Sequence, residues 1–190
     1  MSQIFILNAS FHLLLNKIDQ ELAEQVRRLG CTFCRGNLHL ADYPRSPLGI
    51  PPQFRESYES RLSFCCDNCR RRTTPQTVRF FGRRWIPAPF LILISTLMLG
   101  INERRLAQIK RDFGVTVSES SLKRWRKWWR ESFEATPFWQ QARGLIALPT
   151  ANNIVFPRVL LDLYQGTLQE QILLLLRFLS PLTAGVLRAV

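Results

Sequence analysis

Cys31-Thr32-Phe33-Cys34 and Cys66-Asp67-Asn68-Cys69 are two C-x-x-C pairs in one chain, and their reading decides the fold. A C-x-x-C turn sets two thiolates close enough to hold one metal ion. Two such turns complete a tetrahedral S4 shell, the arrangement Zn2+ takes in closed structural sites. The expected ligands are therefore Cys31, Cys34, Cys66 and Cys69, with Zn2+ as the cofactor. A thioredoxin-like redox motif needs one pair in a βαβ setting, and here there are two pairs. The N-terminus, Met1-Ser2-Gln3-Ile4-Phe5, has no basic stretch and no small-residue cleavage site. The expectation is a cytoplasmic protein with reduced thiols, not a disulfide framework.

Cys65 is a fifth thiol. It either stands unused beside the site or replaces Cys66 in a C-x-x-x-C arrangement; the matching spacing of the two pairs favours Cys66. His39 is an alternative ligand on paper, although a lone loop histidine is rarely one. Thirty-one residues separate Cys34 from Cys66, and Pro44, Pro47, Gly49, Pro51 and Pro52 mark this stretch as an extended insertion.

Working outward, the second pair runs into Arg70-Arg71-Arg72, with Arg79, Arg83 and Arg84 close behind. A metal-held turn leading into an arginine cluster points to nucleic acid, with these six side chains on phosphates. The formal net charge of the 190 residues is +12, and residues 31–150 hold 20 basic against 9 acidic side chains. The positive field thus belongs to the middle of the chain, where it attracts polyanions. Arginine greatly outnumbers lysine, which suits bidentate phosphate and guanine contacts.

Residues 3–29 follow a helical period through Leu15, Ile18, Leu22 and Val26, with Gly30 as the stop. Short strands are expected at 37–40, 61–64 and 77–81, the last from its β-branched and aromatic content. After Pro87 and Pro89, residues 90–134 read as three helices. Phe90–Leu99 is apolar all round and so buried. Asn102 caps a second helix from Glu103 to Asp112, packed through Leu106, Ile109 and Phe113. Ser118 caps a third, with Glu119 in its first turn.

On a wheel of about 100° per residue, Leu122, Trp125, Trp129 and Phe133 make one stripe of that third helix. Ser120, Lys123, Arg124, Lys127 and Arg130 make the opposing basic arc. Arg126 is expected to snorkel beside the apolar stripe. Such a helix can lie in the DNA major groove, with Ser120, Lys123 and Arg124 at base edges and Lys127 and Arg130 at phosphates. A merely solvated basic face, or a helix lying on an anionic membrane, is the competing reading.

Residues 137–190 hold few charges. Arg158 to Tyr164 is short and apolar, Leu168 to Leu179 reads as a strongly apolar helix, and such a tail calls for a partner surface: the rest of the chain, a second copy of it, or another protein. No membrane span is expected, because the apolar run at 90–99 is short and the run at 172–176 ends at Arg177 and Pro181.

The paired knuckles, the run Cys69-Arg70-Arg71-Arg72-Thr73-Thr74-Pro75 and the stretch Val117-Ser118-Glu119-Ser120-Ser121-Leu122-Lys123-Arg124-Trp125 resemble the N-terminal DNA-binding half of bacterial insertion-sequence transposases and their accessory proteins. The resemblance covers residues 31–134. Together with the patterns read above, the expectation is an α+β chain: a helix at 1–30, a small zinc ribbon of short antiparallel strands with an insertion at 31–86, a helix-turn-helix at 87–136 and a helical tail at 137–190. The resemblance also implies double-stranded DNA and a separate transposase as partners. Two departures stand out. The stretch between Phe113 and Ser118 is longer than the family's tight turn. The carboxylates that would hold catalytic metals in such transposases have no counterpart, since only Asp162 and Glu170 follow Glu134. With no phosphate loop, nucleophile elbow or H-E-x-x-H helix either, no catalysis is expected. A truncated transposase remnant and a protein–protein adaptor are the rival expectations.

Overall fold

Asn8 starts the first helix of the computed structural model, which describes residues 8–50, 54–81, 86–96, 103–113, 115–146 and 155–184. The Asn8 side chain accepts the Phe11 N–H at 3.0 Å, so α1 (Ala9–Leu29) begins at a side-chain cap. It ends where Gly30 takes φ 73, a left-handed conformation that costs glycine nothing. Leu15 and Ile18 are buried as their period predicts, and Leu22 and Val26 are only partly covered. The face turned inward instead carries Phe11, Ala23, His12 and Asp19.

The chain is α+β, with short antiparallel strands and several helices. In one three-stranded sheet, β1 (Leu38–Leu40) pairs with β4 (Phe64–Cys66), which pairs with β5 (Arg72–Thr73). Leu38 stands opposite Cys66, and Phe64 opposite both Leu40 and Thr73. A second ladder joins β2 (Tyr43–Pro44) to β3 (Ser60–Arg61). The strand expected at 61–64 is thus two strands. The break falls at Ser63, whose N–H is taken by Asp42 Oδ1 at 2.9 Å.

The strand expected at 77–81 does not form, and only Phe80 makes a single bridge, to Pro87. The cause is local. The Thr77 hydroxyl and the Val78 N–H both donate to the Asp19 carboxylate, and the Arg79 N–H donates to Thr77 Oγ1 at 3.1 Å. Donors that a ladder needs are spent on side chains.

Among the described residues, those within 8–88 and 176–184 form one unit, and those within 89–175 the other. In the first unit, Ala23, Cys31, Leu38, Phe64 and Cys66 share a core, so α1 packs on the cysteine-bearing sheet. The last described residues return to this unit as well. Thr183 Oγ1 accepts the Thr77 N–H at 2.8 Å, and Ser180 Oγ donates to Gln76 Oε1 at 2.9 Å.

The other unit is helical. Residues Phe90 to Ile94 of α2 (Ala88–Thr96) are almost wholly buried, as expected for a helix apolar on every side. There follow α3 (Glu103–Phe113), α4 (Glu119–Lys127), α5 (Pro137–Ala142), α6 (Arg158–Asp162) and α7 (Leu168–Leu179), whose residues from 176 on are counted with the first unit. Ser118 caps α4 by accepting the Ser121 N–H at 3.2 Å. At Trp128 the helix widens into a π-turn, Trp128–Ser132, closed by the Phe133 N–H on the Trp128 carbonyl at 2.8 Å. That widening departs from the constant wheel. Leu122, Trp129 and Phe133 are buried, Trp125 is half-buried, and Trp128 joins Trp129 and Phe133 in an aromatic cluster. No helix among the described residues is long and apolar enough to cross a membrane. The expected cap Asn102 lies outside the described residues, as do Arg83 and Arg84.

Candidate metal centre

The two C-x-x-C turns are the same structure built twice, 35 positions apart in the chain (31 to 66, 34 to 69). In the first, the Arg35 N–H donates to the Cys31 carbonyl at 2.8 Å, and the Cys31 N–H donates to Gly36 O at 2.9 Å. In the second, Arg70 N–H donates to Cys66 O at 3.2 Å, and Cys66 N–H to Arg71 O at 3.0 Å. Arg35 and Arg70 both adopt positive φ, 61° and 59°, which turns each chain back on itself after its second cysteine.

The sulfurs converge as a result. The Sγ atoms of Cys31, Cys34, Cys66 and Cys69 all lie within 4.8 Å of one another. Cys31 and Cys69 approach to 3.5 Å, and Cys34 and Cys66 to 3.4 Å. A tetrahedron with metal–sulfur bonds of about 2.3 Å has sulfurs about 3.8 Å apart. The cluster can therefore hold a metal ion, and its four soft donors suit Zn2+.

Backbone amides prepare these sulfurs for charge, again in duplicate. Cys31 receives the N–H groups of Phe33 and Cys34, and Cys66 those of Cys69 and Asn68. Cys34 receives Gly36 N–H, and Cys69 receives Arg71 N–H. The Phe33 amide first, then Cys34, Cys69 and Cys66, brings Cys31 down to about 6 against the opposing effect of burial. Cys34 is lowered by the Gly36 amide and the Cys66 thiol. Cys69 goes the other way. The Arg71 amide favours its thiolate, but burial and the neighbouring sulfurs Cys34, Cys31 and Cys66 push it up to about 12. Four crowded thiols cannot all ionise without a cation among them, and a divalent ion removes that conflict.

Gly36 is where the two turns touch. A Cβ there would come within 2.9 Å of both Cys66 Sγ and Asp67 Oδ1, so only glycine allows the approach. Asp67 fastens the same seam, accepting from Asn37 Nδ2 at 3.1 Å while its N–H donates to Asn37 O at 3.1 Å. His39 lies 3.6 Å from Asp67 Oδ2, outside the sulfur cluster. Strand alternation separates the two adjacent cysteines of β4. Cys66 faces the core, whereas the Cys65 thiol turns toward the Arg70 carbonyl at 3.6 Å.

The expected nucleic-acid contacts are sorted by exposure. Arg70, Arg71 and Arg72 are on the surface. Arg71 sits over the Phe33 ring at 4.3 Å, and Arg72 donates to the Ala41 carbonyl at 2.9 Å. Arg79 is corrected: it is 3% exposed, pairs with Asp19 at 2.7 Å and donates to the Ser57 carbonyl, so it is not available to a phosphate.

Ser120, Lys123, Arg124, Lys127 and Arg130 are all exposed along α4 and the π-turn. Lys123 is paired with Glu119 at 2.7 Å, Lys127 with Glu131 at 3.7 Å, and Arg124 donates to Ser121 Oγ at 3.1 Å. Arg126 joins these cations. It is exposed on the surface that Glu119, Lys123, Lys127, Arg130 and Glu131 share, a stripe at helical spacing. Arg35 and Phe33 were likewise passed over by the sequence reading. The duplicated spacing, which sets Arg35 in register with Arg70, was the signal for the arginine.

No family model, no curated protein and no solved structure matches the chain.

Proposed function

We propose that the chain is a zinc-dependent, sequence-specific duplex-DNA-binding protein that serves a mobile element beside a separate transposase, with no catalytic domain of its own. The cysteine-bearing unit is then a zinc ribbon. Helices α3 and α4 are a helix-turn-helix, with Val115 and Val117 buried in the connection between them. The observation that carries the reading is the exposed basic stripe of α4, which starts at a serine-capped N-terminus and stands over a buried Leu122, Trp129 and Phe133. An apolar side fixed in a core with a cationic side in solvent is what a groove-reading helix needs. Ser120, Lys123 and Arg124 serve base edges; Arg126, Lys127, Arg130, Arg70, Arg71 and Arg72 serve phosphates.

The test is a salt titration of duplex binding by the zinc-loaded protein. Affinity falls by about 0.9 log units per phosphate contact for each decade of salt. Replacing Lys123 and Arg124 with Ala weakens binding at matched salt; unaltered affinity removes α4 from the interface.

An adaptor that docks a separate transposase or transcription component is the second reading. One observation favours it: Leu29 and Leu40 of the cysteine-bearing unit are 71% and 70% exposed. One zinc per chain without duplex binding selects the adaptor.

A further inference from the structure

Phe33 stands at the tip of the first knuckle, 57% exposed. Its backbone is fixed, because its N–H is committed to Cys31 Sγ and the turn closes behind it through Arg35 N–H on Cys31 O. The Arg71 guanidinium, from the other knuckle, lies 4.3 Å from the ring centroid. Arg35 and Arg70, at corresponding left-handed positions of the two turns, are both exposed. The nearby carboxylate, Asp67, is engaged by Asn37 and His39.

We propose that Phe33, backed by Arg71, is a stacking site for one unpaired nucleobase of a single-stranded nucleic acid, with Arg35 and Arg70 on the adjoining phosphates. The inference rests on the nucleic-acid reading above and extends it to a second kind of strand. A ring held rigid before binding loses little conformational entropy when a base settles on it. Every base offers a π-face, but in a duplex both faces are covered by neighbours, so an exposed ring on a stiff tip selects unpaired bases. Exposed arginines around the ring match the charge of the backbone that carries the base.

The experiment measures binding of the full-length, zinc-loaded protein to oligo-dT, to oligo-rU, to an abasic oligomer of equal length and to a duplex, at one salt concentration. Expected are tighter binding to oligo-dT or oligo-rU than to the abasic strand, and a roughly five- to hundred-fold loss of that affinity in Phe33→Ala. Duplex affinity stays unchanged, and Phe33→Trp restores the single-strand affinity. The dT and rU arms tell DNA from RNA as the source of the base. Equal affinity for oligo-dT, oligo-rU and abasic strands in the unmodified protein overturns the proposal whatever the variants do. An equal loss on duplex and single strand also overturns it, by making Phe33 a general contact. Should Phe33→Ala lower the zinc content, the comparison with the abasic strand decides alone. Normal duplex binding with a silent Phe33 removes this inference only, whereas no binding to any of the nucleic acids removes the parent reading as well.

Discussion

Asp19 and Arg79, 60 residues apart in the chain, meet at 2.7 Å with both side chains almost wholly buried. The Asp19 carboxylate also accepts from the Thr77 hydroxyl and from the Val78 N–H at 2.7 Å, so one α1 side chain organises the whole stretch that follows Pro75. Buried charges of this kind persist only when paired and fully bonded. Replacing Asp19 with Ala strands the guanidinium, and a loss of about 3–5 kcal/mol is expected in urea unfolding. Arg79→Ala should likewise cost stability, while leaving the salt slope of DNA binding of the remaining folded protein unchanged. A slope reduced by one contact would return Arg79 to the phosphate set.

Gly36→Ala tests the seam between the knuckles. With a Cβ forced to 2.9 Å from Cys66 Sγ, the sulfurs must part, and zinc affinity in a chelator competition should fall at least roughly tenfold. Gly144 is the control. An added Cβ there meets nothing within 4 Å, so Gly144→Ala should leave zinc affinity as it was.

Cys65→Ser and Cys66→Ser, one position apart, should differ completely. The first keeps one zinc per chain by elemental analysis, because its thiol faces the Arg70 carbonyl and not the cluster. The second removes a ligand and a core residue together. Equal zinc content in the two variants would contradict the assignment.

Metal uptake should release protons. Cys69, held at about 12, is a thiol at neutral pH and must deprotonate to bind, whereas Cys31, at about 6, is already mostly thiolate. For the lowered group, the folded apo form gains stability relative to an unfolded thiol that is present above the unfolded value and lost as pH falls through about 6. For the raised group, the stability is present below the unfolded value and lost as pH rises toward about 12. Zinc affinity therefore climbs with pH between 6 and 8, by about tenfold per pH unit for each proton displaced. A flat profile in a chelator competition across that window would argue against thiolate ligation.

The stripe on α4 separates its cations by their partners. Lys123 and Lys127 carry carboxylate partners at i−4 and i+4, while Arg126 and Arg130 have no ion-pair partner among the described residues. Replacing both arginines with Ala should lower the salt slope of duplex binding by about 1.8, two contacts' worth. An unchanged slope would place the stripe away from the phosphates.

How legible was all this in the sequence? The convergence of Cys31, Cys34, Cys66 and Cys69 was, because each C-x-x-C fixes its own geometry within a few residues, and so was the Ser118 cap, which acts on the N–H three positions on. The 77–81 strand was not. Thr77, Val78 and Phe80 have the composition of a strand, but the Asp19 carboxylate takes the Thr77 hydroxyl and the Val78 N–H, Thr183 takes the Thr77 N–H, and no local window contains either partner. The same separation in sequence from Asp19 hid the burial of Arg79. The place of Trp128 in the aromatic cluster was hidden by assuming one constant helical period over a stretch that ends in a π-turn.

The return of Ser180 and Thr183 to Gln76 and Thr77 has a consequence for biosynthesis. Residues 89–175 are an insertion in the body that bears the cysteines, which begins before them and finishes after them. A ribosome emits the four ligands early and the closing segment last. The two C-x-x-C turns close locally on a nascent chain, but the contacts of Ser180 and Thr183 must wait until residues 89–175 have emerged, so a chain stalled short of position 180 displays both turns on an unfinished body.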